Sequence, residues 1–189
     1  MTNAEKARVH LPGDANMWFF VLGDLVIFSS YFIIFMVYRS QERELFLASQ
    51  QHLSLNIGVA NTLVLLASSW FVARAVQMTR EGEHPRAVRL VIYGGACGVL
   101  FALLKSYEWT REISRGYTFP HNDFFMFYYM LTGVHLFHVL LGLVFLGVVF
   151  RELSTRDRPR VSMVETGATY WHMVDLLWIV IFALLYVMR

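Results

Sequence analysis

The sequence predicts an all-α integral membrane protein, a bundle of five transmembrane helices, and three observations carry that reading. Of the 189 residues, 57% are hydrophobic and 16% charged, whereas soluble domains hold about 25% charged residues. Mean hydropathy is +0.48. Five apolar stretches, near 17–38, 55–76, 89–109, 124–150 and 170–188, reach the roughly 20 residues needed to cross the hydrocarbon core. The connections are polar, as in Thr79-Arg80-Glu81-Gly82-Glu83-His84-Pro85-Arg86 and Arg156-Asp157-Arg158-Pro159-Arg160. Short connections force antiparallel neighbours, and helices satisfy their own backbone groups in lipid. The expected organisation is a polar segment over 1–16, read as neither signal peptide nor domain, followed by one transmembrane domain over 17–189. A net charge of +2 gives no reason to expect a nucleic-acid partner. The single Cys97 excludes an intrachain disulfide and a CxxC metal site.

Lys and Arg set the expected orientation. Lys6, Arg8, Arg74, Arg80, Arg86, Arg89, Arg151, Arg156, Arg158 and Arg160 fall on one side, against Arg39, Arg43, Lys105, Arg111, Arg115 and Arg189 on the other. The positive-inside rule then places the N-terminus in the cytoplasm and the C-terminus in the periplasm. Trp18, Trp109, Tyr117, Tyr128, Tyr129, Tyr170 and Trp171 lie near span ends and read as an aromatic belt.

Each span carries polar residues that lipid would not tolerate unpaired. In the first, Asp24 sits among the mostly apolar neighbours Phe19 to Phe35. A carboxylate there is protonated, paired or turned to a polar seam, either as a buried structural hydrogen bond or in a proton-linked or lipid-headgroup role. In the second, Asn61 and Ser68 share a face, as do Thr62 and Ser69, with Ala60 and Ala67 beside them. This reads as close helix packing with interhelical hydrogen bonds. In the third, Gly94, Gly98 and Ala102 form a small-residue stripe. Glu108 at its outer end is expected to be paired, and Glu112 to be an exposed interfacial carboxylate.

The fourth span holds His135 and His138, three apart and therefore on one face. They read as a hydrogen-bonded network within the bundle. Zinc or iron normally takes three or four protein ligands, and the other candidates, Asp24, Glu108, His172 and Asp175, lie at depths that do not bring them to the two histidines. The ExxH pairs of a di-iron bundle are absent from the spans. The fifth span opens YWHMVDLLW, with His172 and Asp175 one turn apart. A polar pair in a transmembrane helix is a functional-site hypothesis by default. Arg156, Arg158 and Arg160 set topology or hold anionic headgroups. With no phosphate loop, nucleophile elbow or HExxH, the residues describe a polar-seamed membrane bundle. No catalytic, cofactor-binding or metal-binding residue is assigned.

Read together, these segments resemble subunit III of the haem–copper oxidase superfamily, from Met17 onward. MWFFVLGDLVIF at 17–28 is similar to the family's carboxylate-bearing helix, with Asp24 at the acidic position, and NTLVLLASS at 61–69 to the next. Gly98 through Tyr107-Glu108-Trp109 resembles the third helix, and FYYMLTGVHLFHVLLGL at 127–143 and YWHMVDLLWIVIFALLY at 170–186 the last two. The resemblance implies a short, five-helix form of the cytochrome c oxidase subunit III type, in the bacterial cytoplasmic membrane. Such a subunit has no catalytic centre. It packs beside a catalytic subunit I that carries haem and copper, holds structural phospholipid, and supports proton uptake during aerobic electron transport. Asp24 would inherit the position of a carboxylate that reacts with carbodiimide.

Two departures stand out. Many relatives have Glu where Asp24 stands, and many oxidases have glycine where Leu136 follows His135. These features, with the short N-terminus, resemble the accessory subunit encoded beside bacterial nitric oxide reductases, which would act in denitrification. A subunit of a cytochrome c or quinol oxidase, or of a nitric oxide reductase, is therefore expected. A more distant alternative is an independent transporter, which would show broken helices or repeats. Neither Gly nor Pro splits a span here.

Overall fold

A computed structural model describes residues 15–156 and 158–188. Of the expected polar segment, residues 1–14 lie outside the described residues, as do Asp157 and Arg189. The helices are α1 (Ala15–Gln41), α2 (Arg43–Gln50), α3 (Leu55–Arg80), α4 (His84–Ser114), α5 (Asp123–Thr155) and α6 (Val161–Phe182), with α6 continued by a π-helical turn over Ala183–Val187. Five of them are long and apolar enough to cross a membrane.

The spans are longer than the hydropathy suggested. α4 begins at His84 rather than near 89, with Pro85 in its first turn, where its missing N–H costs nothing. α6 begins at Val161, nine residues before the apolar run, and the charged residue in this stretch finds a partner: Glu165 accepts from Arg80 of α3 at 2.7 Å. The short α2 was not expected. It buries Phe46 against Phe124 of α5, and Asn122, which caps α5 by accepting from the Phe125 N–H at 2.9 Å, also donates to Ser49 of α2 at 2.9 Å.

Both turns of the α3–α4–α5 meander carry a glycine. Gly82 (φ 80°) ends α3 and Gly116 (φ 89°) follows α4. At each, a 6→1 bond closes the turn, Glu83 N–H to Met78 O at 2.9 Å and Tyr117 N–H to Glu112 O at 3.0 Å. This left-handed conformation favours glycine, which has no Cβ to strain it.

The middle of the bundle is α6. It packs against α1, α3 and α5, while α4 closes the ring between α3 and α5. In its apolar stretch 61% of residues are buried, against 17% in α1 and 28–33% in the others. Tyr170, Trp171 and Trp178 of α6 and Tyr128 of α5 are fully buried. Three of the expected belt residues, Tyr128, Tyr170 and Trp171, are thus core; Tyr170 and Trp171 lie near an apolar-run end only because α6 begins nine residues earlier, at Val161. Trp18, Trp109, Tyr117 and Tyr129 are half-buried.

The hydroxyls of α3 receive the indoles of α6. Trp171 Nε1 donates to Ser68 Oγ at 3.0 Å, and that hydroxyl donates to the Gly94 carbonyl at 2.7 Å. Trp178 Nε1 donates to Thr62 Oγ1 at 3.1 Å, which donates to the Gly58 carbonyl at 2.9 Å. The expected interhelical hydrogen bonds of α3 therefore run through Ser68 and Thr62. Asn61 is fully buried with both side-chain polar atoms free of a hydrogen bond. Ser68→Ala is expected to strand the Trp171 N–H and cost about 1–3 kcal/mol, read as a lower melting temperature of the purified protein in detergent.

The small-residue stripe of α4 serves two neighbours, not one. A Cβ on Gly94 would meet Val72 of α3 at 2.8 Å, whereas one on Gly98 would meet Trp171 at 2.6 Å. Gly142 of α5 faces the same indole at 2.7 Å. Gly98 and Gly142 together form the slot that holds Trp171, and Ala102 is half-buried beyond it.

Candidate functional site

Three polar clusters cross the interior. The first joins α1 to α5. His138 Nδ1 lies 2.7 Å from the Val134 carbonyl. A carbonyl only accepts, so Nδ1 carries the hydrogen. The other nitrogen, Nε2, faces Asp24 Oδ2 at 3.5 Å. At this distance the two side chains are in contact without a hydrogen bond to Oδ2. Phe28 covers the imidazole edge-on at 5.3 Å, and Asp24 and His138 are only 14% and 11% exposed. The sequence expectation that Asp24 stays apart from the histidines is therefore corrected. Asp24 is nine residues from Ala15 and His138 seventeen from Thr155, so α5 projects about 12 Å past Ala15 at 1.5 Å per residue.

The two histidines also part company. His135 is fully buried between Phe101 (5.6 Å) and Trp178 (5.2 Å), with neither ring nitrogen hydrogen-bonded. His138 turns to α1. Three-residue spacing is 300° around a helix, enough for one side chain to face the core and the next a neighbouring helix.

The second cluster joins α3 to α6. His172 Nδ1 lies 2.7 Å from Ser69 Oγ. Asp175, buried to 4% exposure, has Ser69 beside it. Ser69 thus belongs to this polar cluster while Ser68, one residue away, serves the indole.

The third cluster, near the other end of the bundle, is the most deeply buried and was largely missed. Lys105, Glu108 and Glu112 are all fully buried. Lys105 Nζ donates to Glu108 Oε2 at 2.9 Å, to Tyr186 Oη at 2.9 Å and to Tyr128 Oη at 3.2 Å. Tyr186 donates in turn to Glu108 Oε1 at 2.7 Å. All three ammonium hydrogens and both carboxylate oxygens are engaged, so the ion pair is fully satisfied. The π-helical turn of residues 183–187 carries Tyr186 into it. Glu108 is paired as expected. Glu112 is not the exposed carboxylate that was expected; Arg115 reaches it at 3.3 Å. The signal was present in the sequence. Phe101, Lys105, Glu108 and Glu112 follow a 4-3-4 spacing that continues the buried face of α4, but Lys105 was counted as a surface charge.

At the arginine-rich end, Arg156 and Arg160 both reach the buried Glu152, at 3.0 and 3.2 Å, and Arg158 is exposed. Among the described residues, no group of three or more His, Cys, Asp or Glu is arranged to hold a metal ion.

The fold and these clusters define a class, a polytopic helical membrane protein with ionisable side chains buried in its interior, among them the ion pair of Lys105 and Glu108. The family model for cytochrome c oxidase subunit III matches residues 13–189, and the chain belongs to that family. It is 29% identical to the probable cytochrome c oxidase subunit 3 of Mycobacterium leprae (strain TN), over 97% of this chain and 94% of that protein. The cytochrome c oxidase subunit 3 of Synechocystis is 29% identical over 89% of this chain and 72% of its own length. The corresponding subunit of Anopheles gambiae is 33% identical over 69% of this chain, which is 49% of the mosquito protein.

Proposed function

We propose that this chain is the non-catalytic subunit III of a bacterial haem–copper respiratory oxidase. It packs on the catalytic subunit I, whose haem and copper do the redox chemistry, and supports its stability and proton uptake. The family match over residues 13–189 carries this reading. In the proposed orientation the Arg80 and Arg156 end of the bundle is cytoplasmic and the Arg39 end periplasmic. The membrane is the bacterial cytoplasmic membrane, and phospholipid is a structural companion.

The proton-linked role falls to Asp24 and His138, with His172 and Asp175 as the second polar pair of the same half. A carboxylate and an imidazole that face each other in a seam between two helices can take up or release a proton as the neighbouring subunit turns over. Arg156, Arg158 and Arg160 hold lipid headgroups in this reading. A cavity of about 330 Å³ bordered by Arg151, Arg156 and Arg160 supports it. Lys105, Glu108 and His135 are structural on this view, since the first two are fully engaged with each other and the third is enclosed by rings.

The first test is purification in mild detergent with a haem spectrum and mass spectrometry of the copurifying chains. A copper-containing, oxygen-consuming subunit I is the expected companion. Recovery with a nitric oxide reductase would move the chain to the denitrification branch, and a chain recovered without any haem protein would end the subunit reading. In the assembled complex, Asp24→Ala is expected to leave the spectrum intact and shorten the span over which turnover is sustained. Unchanged sustained turnover and lipid content would remove Asp24 from the mechanism.

A further inference from the structure

The α3–α4 hairpin has a groove on its outer side that the function proposed above does not use. It encloses about 370 Å³ and is lined by Trp70, Arg74 and Met78 of α3 and by Arg86, Arg89 and Tyr93 of α4, with Leu90 at its side. Because the helices are antiparallel, these residues form layers. Met78 and Arg86 lie nearest the turn at Gly82, Arg74 and Arg89 come next, and Trp70 and Tyr93 are deepest. Trp70 lies ten residues from the end of α3, about 15 Å into the helix. Both aromatic residues are more than half exposed, at 58% and 53%.

The charges in the groove do not cancel. Arg86 meets Glu83 at 3.3 Å, with both side chains largely in solvent. Arg74 donates to the neutral Gln77, which itself donates to Glu81. Arg89 has no carboxylate partner among the described residues. Elsewhere at this end, Arg80 is held by Glu165, and Arg156 and Arg160 by Glu152. Cationic side chains above an aromatic layer, above apolar helix, match the order of an anionic phospholipid from phosphate to acyl chain.

We propose that this groove is a binding site for an anionic phospholipid, its phosphate between Arg74 and Arg89 and its upper acyl chain against Trp70 and Tyr93. The site lies on a different hairpin from Arg156, Arg158 and Arg160, and it does not depend on which enzyme the chain accompanies.

The test uses the detergent-purified protein, with whatever chains accompany it, in nanodiscs containing photoreactive phosphatidylglycerol or phosphatidylcholine. Both probes carry the photoreactive group high on an acyl chain, and labelled peptides are mapped by mass spectrometry. Labelling at Trp70 and Tyr93 by phosphatidylglycerol, well above that by phosphatidylcholine, is expected. It should fall roughly tenfold in Arg74→Gln/Arg89→Gln and persist in Arg74→Lys/Arg89→Lys, which keeps the charge. Equal labelling by the two lipids in the wild-type protein would overturn the proposal without reference to any variant. Competition by soluble glycerol phosphate would make the groove a site for free phosphate, and the lipid assignment would fall. So would absence of lipid labelling with protein crosslinks at Trp70 in its place, which would make the occupant a partner subunit.

Discussion

Glu108→Gln is expected to destabilise the protein by about 3–5 kcal/mol, the usual consequence of removing one partner from a buried ion pair. Lys105 has no exposed surface, and no other carboxylate hydrogen-bonds to it among the described residues. Glutamine keeps the shape of Glu108 and loses its charge. The ammonium is then left between two phenols and the ring faces of Tyr128 and Trp178, 4.5 and 5.3 Å away. Those cation–π contacts are worth about 2 kcal/mol at best, less than the deficit. Lys105→Met/Glu108→Leu should regain most of the loss, because an apolar pair of similar volume often matches a buried ion pair. Thermal unfolding followed by tryptophan fluorescence in detergent separates the three proteins. A single variant as stable as the wild type would mean that the pair is not ionised in the fold.

Gly98→Val is the second large effect. Even the first carbon of a side chain at this position would sit 2.6 Å from Trp171 Cη2 and 2.9 Å from Leu143 Cδ2. The indole cannot retreat, because Gly142 contacts its other edge and its N–H is tied to Ser68. Overpacking of this kind costs about 1–3 kcal/mol or more. Gly95→Ala, three residues earlier on the same helix with nothing within 4 Å, is the matched control. It should be neutral or gain about 0.5–1 kcal/mol of helix propensity. If both variants melt alike, the slot around Trp171 does not govern stability.

How much of this was legible follows from what each residue reports. Five spans were legible because lipid demands long apolar runs, and the runs are there. Helix ends were less so, since Glu165 and Arg80 are polar yet paired, and hydropathy reads each residue alone. Asp24 announced itself as a lone carboxylate among apolar neighbours, but its partner did not: which residue of α5 comes level with it depends on how the two helices are offset in the bundle. Lys105 was hidden for the opposite reason. Near a span end a lysine looks like topology, and only its spacing from Phe101 and Glu112 placed it inward. The α4 glycines were read as places where two helix backbones approach, whereas Gly98 faces the side chains of Trp171 and Leu143. Which neighbour approaches each one, Val72 or Trp171, is a property of the whole bundle and of no single segment.

The burial of α6 has a consequence for biogenesis. The helix around which α1, α3 and α5 gather is the last of the five to leave the ribosome and enter the membrane. Until it inserts, the hydroxyls of Ser68 and Thr62 have no indole to receive, Gly98 and Gly142 face each other across an empty slot, and Lys105 and Glu108 lack Tyr186. The earlier helices, although α3 and α4 already pack on each other, are expected to lack these interior contacts until then. Completion of the interior is then expected to await the arrival of the segment from Val161 to Val187.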